Sequence, residues 1–230
     1  MADAVAGRRG EVPLGRLTVA VAPSRPPAPF AAGLAERYRR FGTLWILVPA
    51  LLAMGAFTIL FQVAARSYGA GGMDVLHLQK AFTAARFGAV VKGWGGGVEA
   101  FKSSMMMLDF AFPLLYAAGL GALVALAGGP GAGRAALWLF ALPWAAAALD
   151  WVENLLHLWL LADVHTAADA ATAAFPAPLV LLASIAAMLK YAALLAAAAG
   201  AAALALRRRA WWAAVVGVVL FAAFTPVLWA

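Results

Sequence analysis

The chain has 230 residues, 66% hydrophobic and 12% charged, with a net charge of +7. A soluble domain carries about 45–50% apolar and about 25% charged residues, so a water-soluble chain of this length could not hide so much apolar surface; the composition is that of an integral membrane protein. The basic residues do not describe a nucleic-acid face: they gather beside hydrophobic spans, at Arg37, Arg39 and Arg40 and again at Arg207, Arg208 and Arg209, as cytoplasmic anchors do, and no nucleic-acid partner is expected. The absence of cysteine excludes disulfides and thiolate metal sites.

The first forty residues mix Arg8, Arg9, Arg16 and Arg25 with Gly, Pro and Ala. The stretch PSRPPAP (23–29) is incompatible with a helix, because proline lacks the amide donor and restricts its neighbour. Residues 1–33 therefore read as disordered and 1–40 as a basic cytoplasmic tail. A signal peptide is not expected, since the first apolar stretch begins only after residue 40 and is too long for a signal-peptide core.

Apolar spans follow at about 41–65, 105–127, 136–162, 177–206 and 211–230. Each reaches the about 20 residues that cross a hydrocarbon core of about 30 Å, and long continuous apolar runs satisfy their backbone in lipid as helices. The expected fold is an all-α polytopic transmembrane helix bundle of four to five spans, four of them within 41–206. Residues 211–230 add a C-terminal transmembrane or interfacial helix. Basic segments set the expected topology: cytoplasmic N-terminus, 66–104 outside, 128–135 inside, 163–176 outside and the triple arginine inside. The expected location is a bacterial inner membrane. Five basic residues in 66–104, Arg66, Lys80, Arg86, Lys92 and Lys102, run against that assignment.

Within the outer loop, 73–91 has a weakly amphipathic pattern suited to a helix on the membrane surface, and the glycine-rich KGWGGGVEAF (92–101) should break it. That glycine run lacks the Gly-Lys-Ser/Thr of a phosphate loop. The alanine-rich 192–203 reads as a close helix–helix contact, where small residues let backbones approach.

Asp150, Glu153, Asn154 and His157 stand at i, i+3, i+4 and i+7 within LDWVENLLH (149–157), and so form one stripe on a helix. Counted from the cytoplasmic ends at the helical rise, Asp150 lies about 20 Å deep, Glu153 about 24 Å, His157 about 30 Å, Lys190 about 25 Å, Asp109 about 27 Å and Tyr116 about 16 Å. Lys190 at the level of Glu153 is the obvious ion pair, and Asp109, Pro113 and Tyr116 share a face that can turn toward the same centre. Glu153 and His157 have the i, i+4 spacing of metal ligands, but one intramembrane histidine beside a lysine argues against a cation, and no metal site is assigned. Acid–base work suits buried carboxylates, histidine and lysine better. His77 and His165 lie in outer segments and read as surface residues. Trp45, Trp138, Trp211, Trp212 and Trp229 stand near span ends, as interfacial anchors do.

Two motifs carry a resemblance. LDFAFPLLYAAGL (108–120) and LPWAAAALDWVENLLHLWLL (142–161), with MLKYAAL (188–194) in the following helix, resemble a family of small uncharacterised bacterial inner-membrane proteins of about four spans. That family has an Asp-x-x-Phe-Pro-x-x-Tyr element and an Asp-x-x-Glu-Asn element in successive helices. The resemblance covers 41–205 and implies Asp109, Pro113, Tyr116, Asp150, Glu153, Asn154 and Lys190 as its signature; it brings no activity or cofactor.

The leading expectation is a membrane protein with an inward-facing polar pocket for a lipid-like molecule. Asp150, Glu153 and His157 are its candidate acid–base residues, and Asp109, Tyr116, Asn154 and Lys190 its candidate ligand-binding residues. Membrane lipids are the expected partners, and the cofactor is unknown. A proton-coupled carrier or relay is the alternative, opposed by small size and the absence of an inverted repeat unless a homo-oligomer supplies the pathway. A structural subunit, with the stripe serving assembly, is the third reading.

Overall fold

The computed structural model describes residues 29–68, 75–129 and 133–225. The expectations for the tail before residue 29, for 69–74 and for the last five residues lie outside the described residues. Everything described is helix and short connection: α1 (Pro29–Phe41), α2 (Leu44–Tyr68), α3 (Val75–Gln79), α4 (Ala84–Trp94), α5 (Val98–Ser104), α6 (Phe112–Gly128), α7 (Arg134–Leu160), α8 (Ala167–Thr172), α9 (Ala177–Arg207) and α10 (Trp211–Phe224). The protein is an all-α bundle. Among the described residues, four helical runs are long and apolar enough to cross a membrane: α2, the run Ala84–Gly128 that ends in α6, α7 and α9.

α2, α6, α7 and α9 alternate in direction. At one end Gly42, before α2, packs against Ala125 near the end of α6. There too the Tyr38 hydroxyl donates to the Gly129 carbonyl at 3.3 Å, and the Arg208 guanidinium presses on Gly129, whose φ of +62° and lack of Cβ leave room for it. The basic segments before α2 and after α9 thus gather at one end of the bundle. The outward side of α2 carries Trp45, Leu52, Ile59 and Val63, exposed by 90%, 71%, 66% and 57%. A continuous apolar stripe of this kind suits lipid and not water.

Two apolar cores sit one above the other. The larger joins α1, α2, α6, α7, α9 and α10. Its tight part is the alanine run of α9, where Ala197, Ala198 and Ala201 are fully buried; a Cβ on Gly217 of α10 would meet the Ala202 nitrogen at 3.0 Å. The second core lies at the other end, where Phe87, Trp94, Phe101 and Tyr68 pack with Leu161, Val164 and Val180.

The structure departs from the sequence expectations in two places. Residues 29–41, read as part of the tail, form a helix, because Leu34, Tyr38 and Phe41 recur on one face and pack on the bundle core; Tyr38 and Phe41 both meet Phe140 edge-on, at 5.6 and 5.8 Å. The segment 75–104, read as an outer loop with a surface helix, is a folded cap with Leu78, Phe87, Val91 and Val98 completely buried. α4 ends at Gly95 (φ +53°), but the glycine run continues as a tight turn, since a Cβ on Gly97 would lie 2.7 Å from the Tyr68 Cα. The C-terminal helix α10 has 14 described residues, about 21 Å of helix, and residues 226–230 of the expected 211–230 segment lie outside the described residues.

The cap is tied down by polar contacts. Lys102 Nζ donates to the carbonyls of Leu161 and Val164 at 3.3 and 2.9 Å, covering the open end of α7. Phe82, at a positive φ of 52°, is held by its N–H donating to the buried Ser184 hydroxyl at 3.0 Å. α8 opens with a capping box between Thr166 and Asp169, whose carboxyl the His165 and Thr166 amides hold below the usual carboxylate range.

Candidate functional site

The helical run before α6 is broken by its own sequence. Pro113 has no N–H, so the carbonyl of Asp109, four residues earlier, loses its helical partner. The run makes a π-type turn over Met105–Asp109 and restarts at Phe112. α7 repairs the break. Asn154 Nδ2 donates to the Asp109 carbonyl at 3.1 Å, and Trp151 Nε1 donates to the Phe110 carbonyl at 3.0 Å. Asn154 and Trp151 are three apart and so reach the same side of the neighbouring helix.

One turn along from this repair the charges meet. Lys190 Nζ donates to Asp150 Oδ1 at 2.8 Å and lies 2.7 Å from Glu153 Oε2. Tyr116 donates its hydroxyl to Asp150 Oδ2 at 2.9 Å. Both Asp150 oxygens are therefore engaged. The Lys190–Glu153 contact is close but off the hydrogen-bond direction, so neither Glu153 oxygen has a hydrogen-bond donor among the described residues. Asp150, Glu153 and Lys190 are exposed by only 3%, 0% and 4%. His157 is buried as well, tilted against the Phe87 ring with centroids 5.9 Å apart. Its Nδ1 lies 3.8 Å from Glu153 Oε1, too far for a hydrogen bond, and its Nε2 has no partner among the described residues.

Beside this cluster lies a cavity of about 330 Å³, near the lower end of the about 300–1,000 Å³ typical of small-molecule sites. Asp109, Tyr116, Asp150 and Lys190 line its polar side, and Phe61, Phe112, Leu194 and Phe224 line its apolar side. Of the residues singled out from the sequence, Glu153, Asn154 and His157 are not in the cavity wall. Asn154 serves the backbone of the neighbouring helix, and Glu153 and His157 stand behind Lys190, toward the cap. The structure also places polar residues in the wall that the sequence reading passed over, among them Gln62, Gln79, Ser104 and Tyr191. The Tyr191 hydroxyl donates to Gln79 Oε1 at 2.9 Å. Tyr191 follows Lys190 directly and could have been found at the same depth; Gln79 carried no signal, lying in a segment read as a surface helix.

Tyr116, Asp150 and Lys190 form one hydrogen-bonded run, with Glu153 against Lys190 and His157 3.8 Å beyond Glu153 without a hydrogen bond. Asp109 has no ion-pair partner among the described residues and opens to the cavity. No three histidine or carboxylate side chains among the described residues are placed to hold a metal ion. His165 and His77 are exposed, and the His165 ring meets Glu99 on the cap surface at 2.7 Å. Comparison with family models, curated proteins and solved structures finds no match for the chain.

Proposed function

We propose that this is a multi-pass inner-membrane protein, with its basic end in the cytoplasm, that binds a lipid-like amphiphile in the cavity beside the Lys190 cluster. The observation that carries this reading is the two-sided wall. Polar side chains converge at one side of the cavity, and Phe61, Phe112, Leu194 and Phe224 form the other, within helices long enough to cross a bilayer. Such a wall fits a molecule with a polar head and a hydrocarbon chain. Intramembrane ionisable groups mark ligand or ion pathways more often than they mark packing. In this reading Asp109, Tyr116, Asp150 and Lys190 face the head group. Glu153 and His157 hold and tune Lys190 from behind, and an acid–base step would run through Asp150 and Tyr116.

Native mass spectrometry of the detergent-purified protein tests this. The wild type should carry a defined amphiphile adduct. Ala65→Phe, which fills the α2 wall of the cavity without touching the charges, should lose it while keeping the helical spectrum. Equal, non-specific lipid adducts in both proteins would sink the reading. Proton flux in liposomes that is lost in Glu153→Gln, with no adduct in the wild type, would replace it with the relay.

A further inference from the structure

The cavity's donors and acceptors are not equally available, and the imbalance speaks to the charge of its occupant. The cationic group in the wall, Lys190, is already in contact with two carboxylates, Asp150 at 2.8 Å and Glu153 at 2.7 Å. The Tyr116 hydroxyl is committed to Asp150, the Tyr191 hydroxyl to Gln79, and the Ser104 hydroxyl to the Phe101 carbonyl at 2.8 Å. A phosphate or carboxylate head would face the Asp109 and Asp150 carboxyls across a lysine already held between two carboxylates. Asp109 is the contrary case: a carboxyl that opens to the cavity with no basic side chain in ion-pair reach among the described residues. Asp150 and Glu153 hold the lysine between them, and Asp109 faces the cavity without a cation of its own among the described residues.

The walls near Asp109 suit a cation for a second, independent reason. Phe112 stands at the centre of an aromatic row, with Phe57 stacked on one side at 6.2 Å, Phe61 edge-on at 5.5 Å and Tyr116 edge-on at 5.6 Å, and Phe101, Tyr68 and Phe224 complete the enclosure. Aromatic faces attract amines and quaternary ammonium groups through the ring quadrupole, most strongly where water is excluded. We infer that the amphiphile taken by this cavity bears a cationic head, an amine or quaternary ammonium, seated between Asp109 and the Phe112 ring. This rests on the amphiphile reading proposed above and adds the head-group class.

The experiment uses the full chain in neutral maltoside detergent and three probes of equal chain length: dodecyltrimethylammonium, dodecanol and lauric acid. Saturable binding is read by thermal shift and by native mass spectrometry. The ammonium probe should bind about tenfold more tightly than the other two, and Asp109→Asn should remove about that advantage. Phe112→Leu, which keeps the carboxyl and loses the ring, should weaken the ammonium probe more than the alcohol; this variant keeps the test sharp if Asp109→Asn does not fold. Equal or tighter binding of the alcohol or the acid overturns the cationic head and leaves the amphiphile reading standing. No saturable one-site binding by any probe overturns both.

Discussion

Lys190→Met should cost about 3–5 kcal/mol of folding stability, the largest effect of any single substitution in the bundle, because it strands two buried carboxylates. Lys190 touches both Asp150 and Glu153, and none of the three is more than 4% exposed. The unfolding midpoint in a denaturing-detergent titration reads the loss. The cost belongs to the stranded charges and not to the net worth of the cluster, since buried ion pairs are close to neutral against shape-matched uncharged groups. Replacing all three residues together, Lys190→Met with Asp150→Asn and Glu153→Gln, should therefore recover most of what Lys190→Met loses. A single variant as stable as the wild type would mean that the carboxylates do not depend on this lysine.

Asn154→Leu should cost about 1–2 kcal/mol, the range between a typical intramembrane side-chain hydrogen bond and a buried carbonyl left unpaired. The informative partner is Pro113→Ala. Alanine at 113 restores an N–H four residues after Asp109, so the orphaned carbonyl regains a donor in its own helix. The double variant should be more stable than Asn154→Leu alone, although each change touches a different helix. Purely additive losses would show that Asn154 is not there to serve that carbonyl.

That pairing gives a physical reason for two motifs that stand about forty residues apart. The proline in LDFAFPLLY breaks a helix, and the asparagine and tryptophan in DWVEN mend it. The stripe of Asp150, Glu153, Asn154 and His157 was legible because helical periodicity puts i, i+3, i+4 and i+7 on one side. Depth counting was enough to bring Lys190 level with it. Periodicity could not say that Lys190 would bridge two carboxylates, that Tyr116 would reach Asp150, or that Asn154 would serve a backbone and not a ligand. Those outcomes depend on how the helices are rotated against one another. The four long apolar runs were legible from length and hydropathy alone. The cap was not: Gly95–Gly97 and the scattered lysines and arginines of 66–104 have the composition of a loop. Yet Phe87, Val91 and Val98 find burial in a core shared with Tyr68 at the end of α2, Leu161 and Val164 past α7, Ala170 of α8 and Val180 of α9, contacts no local window contains. The same blindness hid Gln79, which reaches the cavity from that cap.

The central claim is that the Lys190 cluster and its cavity lie within the membrane. The natural absence of cysteine allows it to be tested directly by labelling single-cysteine variants in intact membranes with a membrane-impermeant maleimide. Leu189→Cys sits beside Lys190 on the outward, 53% exposed side of α9. Ala168→Cys on α8 and Arg207→Cys at the basic end report the two aqueous sides. Leu189→Cys should stay unlabelled until the membrane is dissolved, while the other two label from opposite sides. Labelling of Leu189→Cys in intact membranes as fast as Ala168→Cys would place the cluster in water and contradict the account.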